Sequence, residues 1–197
     1  MTSGHNRAEL YSRAMTFPRS EPQWLSAAQL ALHRPPSRVR SLLTSSGSLT
    51  KKIIQHCPHP FSVEVLQQHY TPLSLMEQQV LQIRQRESGN TRAVLLHCGD
   101  TPWVFAHTVI PHHALKRQLR RLTQLGNRSL GAVLHRSRVM QRSEAMYACF
   151  LPHHSLYQQA TTSLQQPPDQ LWGRRILYQI DGDPLLVHEL FLSTFDQ

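Results

Sequence analysis

Two charged side chains stand on apolar faces of strand-like segments. Arg92 shares a pleat face with Val94, and Glu189 shares one with Val187, because alternate residues of a strand point the same way. A buried charge is costly unless it is paired or serves a ligand. Three interpretations are open: the two residues pair with each other, their faces are exposed, or they line a ligand site. Charges of this kind cluster at functional sites, but structural ion pairs also bury charge, so the residues alone leave all three interpretations open.

Two short segments have the pattern of a helix start. They are Gly47-Ser48-Leu49-Thr50 and residues 127–131. The first amides of a helix have no intrahelical acceptor and lie at the positive end of its dipole, so they can bind a carboxylate. Taken singly, the sequence of each segment favours an ordinary cap that binds nothing.

Two other clusters carry ligand-type residues without a complete motif. His56, Cys57 and His59 have metal-ligand side chains, but no second cluster completes four ligands at zinc spacing. The helix predicted over 113–125 has a basic stripe, which is typical of a solvated face, and no recognition-helix or base-stacking motif accompanies it. We therefore predict no metal site and no nucleic-acid partner.

The chain has 197 residues, enough for one domain with a single core. Lys and Arg (21) exceed Asp and Glu (12), and the formal net charge of +9 suits an anionic partner. No apolar stretch is long enough to span a bilayer and no secretory signal begins the chain, so we expect a cytoplasmic protein without membrane insertion. Three scattered cysteines (Cys57, Cys98 and Cys149) without a CxxC pair predict no disulfide framework.

The periods of the apolar residues predict an α+β fold with an antiparallel sheet. Residues 1–20 are polar and are predicted to form an irregular arm, and residues 21–197 are predicted to form one domain. Helices are predicted over 22–32, 37–43, 49–56, 113–125 and 129–135. Strands are predicted over 61–70, 92–97, 103–110, 142–151, 172–180 and 185–192, with hairpin turns at 99–100 and 181–184.

Segments spread over roughly residues 22–192 resemble the chorismate pyruvate-lyase family. Residues 92–109 are similar to its arginine, apolar strand, Pro-Trp turn and returning strand. Residues 125–131 are similar to its Leu-Gly-x-x-x-Leu-Gly, residues 171–175 to its Leu-Trp-Gly-Arg-Arg, and residues 185–192 to its Leu-Leu-x-x-Glu-x-Phe-Leu. A weaker match covers residues 24–25 and 47–52. The family fold that this resemblance implies is a single domain with a six-stranded antiparallel sheet and helical flaps over a buried ligand site.

The resemblance also implies the site residues. Arg92 and Glu189 are implied as the catalytic residues, acting through their side chains, while Leu49 and Leu130 contribute mainly backbone amides to substrate binding. His107 stands where the family usually carries an arginine. It is therefore expected at the substrate, as a weaker and pH-sensitive holder of a second carboxylate.

The activity that the resemblance implies is the elimination of pyruvate from chorismate to give 4-hydroxybenzoate, the first step towards ubiquinone. Loss of pyruvate makes the ring aromatic, so positioning and exclusion of water matter more than a strong acid or base. We accordingly expect a monomeric lyase that needs no cofactor. The alternative is a non-catalytic small-molecule-binding module of the same fold, as in the effector domains of one class of bacterial transcription regulators.

Overall fold

The structure is a computed structural model that describes residues 21–84, 86–134 and 140–192. The arm predicted over residues 1–20 lies outside the described residues. The helices are α1 (Ala27–Leu30), α2 (Ser37–Leu43), α3 (Leu49–His56), α4 (Leu75–Val80), α5 (Arg117–Leu122), α6 (Leu130–Leu134) and α7 (Ser155–Thr161), with a 3-10 turn at His112–Ala114. The strands are β1 (Phe61–Pro72), β2 (Ser88–Cys98), β3 (Thr101–Pro111), β4 (Met140–Arg142), β5 (Met146–Phe150), β6 (Leu171–Ile180) and β7 (Asp183–Phe191).

All the described strands join one antiparallel sheet. Six of them follow the order β1-β2-β3-β7-β6-β4, and β5 also pairs with β6. This arrangement confirms the predicted α+β fold with a single antiparallel sheet. In its register Ala106 and Arg174 both lie opposite Glu189, on either side of β7, and Arg92 lies opposite Thr108. The sheet therefore brings residues that are far apart in the sequence onto neighbouring central strands.

Helices α3 and α6 cover one face of the central strands. Helix α3 begins after Ser48, whose hydroxyl accepts a hydrogen bond from the Lys51 amide at 3.3 Å, as in an ordinary N-cap. Its buried residues Leu49 and Ile53 pack into a core cluster with strand residues such as Val94. The opposite face of the sheet packs against α4 and α7 through separate clusters. The sheet is thus covered on both faces, and α3 and α6 are the two flaps over one of them.

The structure differs from the predicted elements mainly in the helices. Only Ala27–Leu30 of the helix predicted over 22–32 is helical, because Leu25 forms an isolated bridge with Tyr147. The helix predicted over 113–125 is a 3-10 turn followed by the shorter α5, and the strand predicted over 142–151 is divided into β4 and β5. Helices α4 and α7 were not predicted. A capping box of Ser74 and Glu77 begins α4, and its spacing is visible in the sequence.

The prediction about the cysteines is wrong. Cys57 and Cys98 form a disulfide with a Cα–Cα distance of 5.6 Å, and Cys149 is free. The two cysteines are 41 residues apart, and they meet because Phe61, shortly after Cys57, pairs with Cys98 across β1 and β2. Spacing along the chain cannot reveal a pair that the register of two strands creates. None of the described helices has both the length and the apolarity needed to cross a membrane.

Candidate active site

A cavity of about 50 Å³ lies between the two flaps and the central strands. That is several times the volume that one water molecule needs, so the cavity has room for a small ligand. The wall formed by the sheet is contributed by alternate residues of β2, β3, β6 and β7, as the pleat requires. The lining residues are Arg92, Val94, Leu96, Ala106, Thr108, Tyr178, Val187 and Glu189 from the sheet, with Gly47, Leu49, Thr50, Ser129, Leu130, Gly131 and Leu134 from the flaps and the residues before them.

Arg92 is the buried cation of this cavity. Its side chain is only 4% exposed, and no carboxylate among the described residues pairs with it. One nitrogen, Nη2, donates to the carbonyls of Gly126 at 2.7 Å and Arg128 at 3.2 Å, whereas Nε has no partner in the described part of the chain. Burial lowers the pKa of the guanidinium from its ordinary value, but an arginine stays protonated. The cavity therefore holds a fixed positive charge with an unused donor.

Glu189 is held by a second buried arginine and not by Arg92. The Nε of Arg174 donates to one carboxylate oxygen of Glu189, Oε2, at 2.5 Å. Arg174 is only 1% exposed, and its Nη1 donates to the carbonyls of Leu42, Leu43 and Ser45 at 2.8–3.1 Å. The guanidinium thus fixes both the Glu189 carboxylate and the backbone that leads into flap α3. The interpretation that Arg92 and Glu189 pair with each other is excluded.

The two flaps touch each other above the cavity. Leu49, which begins α3, and Leu130, which begins α6, both line it, as does Thr50. A Cβ added at Gly131 would lie 3.1 Å from the Thr50 hydroxyl and 3.6 Å from that of Ser48, so glycine permits the close approach of the flaps. The structure therefore brings Leu49, Leu130, Arg92 and Glu189 together around one cavity.

Tyr178 is a lining residue that the sequence did not single out. Burial first, and then the nearby Glu189 carboxylate, raise the pKa of its phenol above the ordinary value. The phenol consequently stays protonated over the neutral pH range and is available as a hydrogen-bond donor. Its two-residue spacing from Ile176 and four-residue spacing from Arg174 place it on the cavity face of β6.

His107 does not reach this cavity, which corrects the expectation that it contacts the substrate. Its neighbours Ala106 and Thr108 line the cavity, so the pleat of β3 turns His107 to the opposite face of the sheet. There it lines a second cavity of about 200 Å³ together with His188 and Arg175. A positive charge at position 107 would therefore lie behind the sheet.

The second cavity contains a pair of buried histidines. His107 and His188 lie opposite each other on β3 and β7, with their ring centroids 5.9 Å apart. Burial lowers the pKa of His107. The Glu77 carboxylate partly opposes this shift, because its Oε1 lies 3.9 Å from Nδ1 of His107. Burial, with His107 and Arg175 adding to it, lowers the pKa of His188 well below the ordinary value. Both rings are therefore neutral at physiological pH.

No metal-ligand set was predicted from the sequence. In the described ranges, no three His, Cys, Asp or Glu side chains lie close enough together to hold one metal ion.

Arg174 is an important residue that the sequence patterns did not single out. The Leu-Trp-Gly-Arg-Arg match contained it, and its alternation with Trp172 and Ile176 in an apolar strand was the same signal that singled out Arg92.

Comparison with known sequences identifies the family. Residues 19–197 match the sequence model of the family described as Chorismate lyase. A probable chorismate pyruvate-lyase of Nitrosomonas eutropha is 36% identical over 162 residues, which cover 82% of this chain and 90% of the relative. Another, of Nitrosospira multiformis, is 38% identical over 175 residues, which cover 86% of this chain and 97% of the relative.

Solved structures share the fold with little sequence identity. The effector domain of PhnF from Mycobacterium smegmatis has a TM-score of 0.56 at 11% identity, covering 76% of this chain and 90% of that domain. A gene product of Staphylococcus aureus subsp. aureus N315 has a TM-score of 0.55 at 11% identity, covering 78% of this chain and 92% of that one. Such a likeness shows the fold alone. Because the family match spans residues 19–197 and the curated relatives align with most of the chain, this protein belongs to the chorismate lyase family.

Proposed function

We propose that this protein eliminates pyruvate from chorismate to give 4-hydroxybenzoate. The observation that carries the proposal is the buried Arg92 guanidinium, which lines a small cavity with an unpartnered Nε while Glu189 lines the same cavity. A fixed cation and a fixed hydrogen-bond acceptor suit a ring with a carboxylate and a hydroxyl. Membership of the chorismate lyase family and the names of the relatives support the same substrate.

The carboxylate end of the ligand lies at Arg92 in this proposal. Its Nη2 is already used by the Gly126 and Arg128 carbonyls, which fix the plane of the guanidinium. The free Nε then donates to the ring carboxylate, and backbone amides at Leu49 and Leu130 add further donors. Charge-assisted hydrogen bonds in a dry cavity are stronger than neutral ones, so this end supplies most of the binding.

The hydroxyl end of the ligand lies at Glu189. Because Oε2 is held by Arg174, the other carboxylate oxygen is free to accept a hydrogen bond from the ring hydroxyl. The protonated Tyr178 phenol, on the neighbouring strand β6, is a donor for the enolpyruvyl carboxylate. The ligand is thereby oriented from both ends.

The reaction needs little more than this orientation. The ether bond between the ring and the enolpyruvyl group breaks, and the ring carbon that carries the hydroxyl loses its hydrogen. The enolpyruvyl methylene gains a hydrogen and becomes the methyl group of pyruvate, so all atoms are retained in the two products. Because the ring becomes aromatic, exclusion of water and a fixed geometry suffice, and we propose that no metal or organic cofactor takes part.

The test is to incubate the purified protein with chorismate and to quantify 4-hydroxybenzoate and pyruvate. We expect the two products in equal amounts, at the same rate with and without a metal chelator. The matched control is an empty-vector preparation from the same host, purified in the same way, because any product it forms reports a contaminating lyase. Arg92→Ala should form product more slowly than the wild type.

Two results would contradict the proposal. Saturable chorismate binding without product formation would favour the non-catalytic binding module. Activity that is lost with the chelator and restored by a metal ion would overturn the cofactor-free reaction.

A further inference from the structure

The disulfide fastens the flap helix α3 at the end that lies away from the cavity. Leu49, the first residue of α3, lines the cavity, whereas Cys57 follows its last residue directly. Cys98 is the last residue of β2, the strand that carries Arg92. One covalent bond therefore connects the far end of a flap to the sheet that forms the floor of the site.

The bond shortens the attachment of α3 to the sheet. Without it, Cys57 is joined to β1 through residues 58–60, and Phe61 is the first residue that pairs with Cys98. Four residue steps reach up to roughly 13 Å when extended. With the disulfide, the Cα atoms of Cys57 and Cys98 are held 5.6 Å apart. The helix end consequently has much less freedom in the oxidised protein.

A restraint at Cys57 is felt at the cavity because α3 is short and rigid. Its eight residues measure about 12 Å along the axis, so a displacement of the Cys57 end tilts the whole helix and moves Leu49 and Thr50, which line the cavity. At the cavity end the chain passes through Gly47, which has a φ of +83° and open space around the position of a Cβ. A glycine, whose backbone conformation is little restricted, therefore precedes one end of α3, and a covalent bond to the sheet follows the other end.

We propose that the Cys57–Cys98 disulfide is a redox-sensitive fastening of α3: the oxidised form holds the flap closed over the cavity and slows ligand exchange, and reduction releases it. Cys57 is partly exposed whereas Cys98 is buried, so an external dithiol approaches the disulfide from the Cys57 side. The dithiol attacks the disulfide, forms a mixed disulfide and then its own cyclic disulfide. Two electrons and two protons pass to the protein, which gains two thiols.

The first measurement needs no ligand. The full chain is prepared oxidised and dithiothreitol-reduced, the two forms are verified by a mass difference of two hydrogens, and amide hydrogen exchange is compared. Closing a loop of 41 residues corresponds at most to a factor of roughly several hundred in the opening equilibrium. Because Ile53 and residues 58–60 still hold α3, we expect exchange in Leu49–His56 to rise about tenfold on reduction. Helix α7, on the other face of the sheet, is the internal control and keeps its exchange rate.

The second measurement is the dissociation rate of 4-hydroxybenzoate, which rests on the proposed function. We expect dissociation to accelerate on reduction in the wild type. Cys57→Ser should show the faster dissociation rate under both oxidising and reducing conditions. The matched control Cys149→Ser should respond to reduction as the wild type does, because Cys149 is the free cysteine.

Equal exchange in α3 and equal dissociation rates for the oxidised and reduced forms would overturn the proposal, as would failure of the disulfide to form under oxidised glutathione. If 4-hydroxybenzoate does not bind at all, the proposed function fails, and hydrogen exchange alone still decides whether the disulfide fastens the flap.

Discussion

The charged residues of the cavity are stabilised in two different ways. Glu189 has a full partner in Arg174, whose Nη1 donates to three backbone carbonyls. Arg92 has only carbonyl partners, and one of its donors is unused within the described chain. A buried charge that has dipoles around it but no counterion is suited to an anionic ligand. These two environments lead to different expectations for substitutions.

Arg92→Lys should weaken the binding of 4-hydroxybenzoate. A lysine keeps the charge but cannot hold the Gly126 carbonyl and a ligand carboxylate with one planar fork. A hydrogen bond to a charged group contributes about 1.5–3 kcal/mol, or roughly 10- to 150-fold in affinity. Calorimetric titration measures the loss, and Arg120→Lys, an exposed arginine of α5, is the matched control. Unchanged affinity in Arg92→Lys, with a lower melting temperature only, would remove Arg92 from the binding site.

Arg174→Lys should reduce turnover more than substrate binding. The single ammonium group of a lysine cannot reach both Glu189 and the three carbonyls, so the Glu189 carboxylate loses its fixed position. Because the Arg92 anchor is intact, we expect kcat to fall while KM changes less, and we expect Glu189→Gln added to Arg174→Lys to cost little more. Measuring kcat and KM well below the melting temperature of the variant separates an effect on catalysis from a loss of folded protein. A less stable variant with normal kcat would mean that Arg174 is purely structural.

His188→Gln should make the protein less sensitive to acid. The folded pKa of His188 lies well below its ordinary value of 6.5, so below pH 6.5 protons bind the unfolded chain preferentially. This histidine contributes no pH dependence above pH 6.5, and it favours unfolding increasingly as the pH falls, by about 1.4 kcal/mol per pH unit at most. Urea unfolding at pH 7.5 and 5.5 should therefore show a smaller loss of stability in the variant. His107, Glu77, Glu21 and Arg175 face or adjoin the same cavity and remain in both proteins. An equal loss in both proteins would contradict the shift.

Strands were predicted more successfully than helices, for a physical reason. Alternation within β2 and β7 placed Arg92 and Glu189 on apolar faces, because a pleat alternates regardless of what the strand packs against. The placement of His107 followed from a resemblance and ignored that alternation. The partners of Arg174, the disulfide and the bridge of Leu25 to Tyr147 depend on contacts between distant segments, which local patterns do not contain. The sequence therefore predicted the charged side chains of the cavity, Arg92 and Glu189, but not the contacts that hold them in place.

At the scale of elements, two glycines should respond differently to alanine. A Cβ at Gly173 in β6 would lie 2.8 Å from the Phe150 ring and 2.9 Å from the Glu189 carbonyl, which is rigid backbone. Gly173→Ala should therefore lower the free energy of unfolding by about 1–3 kcal/mol, as overpacked cores do. A Cβ at Gly131 would contact only side chains, namely the Thr50 hydroxyl and Cβ and the Ser48 hydroxyl, which can move. The stability of Gly131→Ala should therefore change little while the flaps separate and 4-hydroxybenzoate dissociates faster. Chemical denaturation measures the free energy of unfolding of both variants, and ligand release measures the dissociation rate of 4-hydroxybenzoate. Equal losses of stability in the two variants would contradict the prediction.

At the scale of the whole molecule, the charge of the chain bears on how an anion reaches the cavity. The formal net charge is +9, and the flap helix α3 carries Lys51 and Lys52 but no acidic residue. A field of one sign raises the rate at which oppositely charged ligands arrive. Salt screens this field in solution but screens the contacts buried in the cavity much less. Salt should therefore change the association rate more than the dissociation rate.

The association rate of 4-hydroxybenzoate should therefore fall with ionic strength while its dissociation rate stays nearly constant. Raising the ionic strength from about 0.01 to 0.15 M shortens the Debye length from about 30 to 8 Å, so that most surface charges no longer act on the approaching anion. We expect association to slow by about tenfold, the lower end of electrostatic steering. Stopped-flow binding measures both rates, and the neutral 4-hydroxybenzamide is the control, since it has the same ring without the charge. Lys51→Glu should reduce the salt dependence, because Lys51 is exposed on the flap that covers the cavity. A salt effect of the same size on the neutral amide would show that salt acts on flap opening and not on the charge of the ligand.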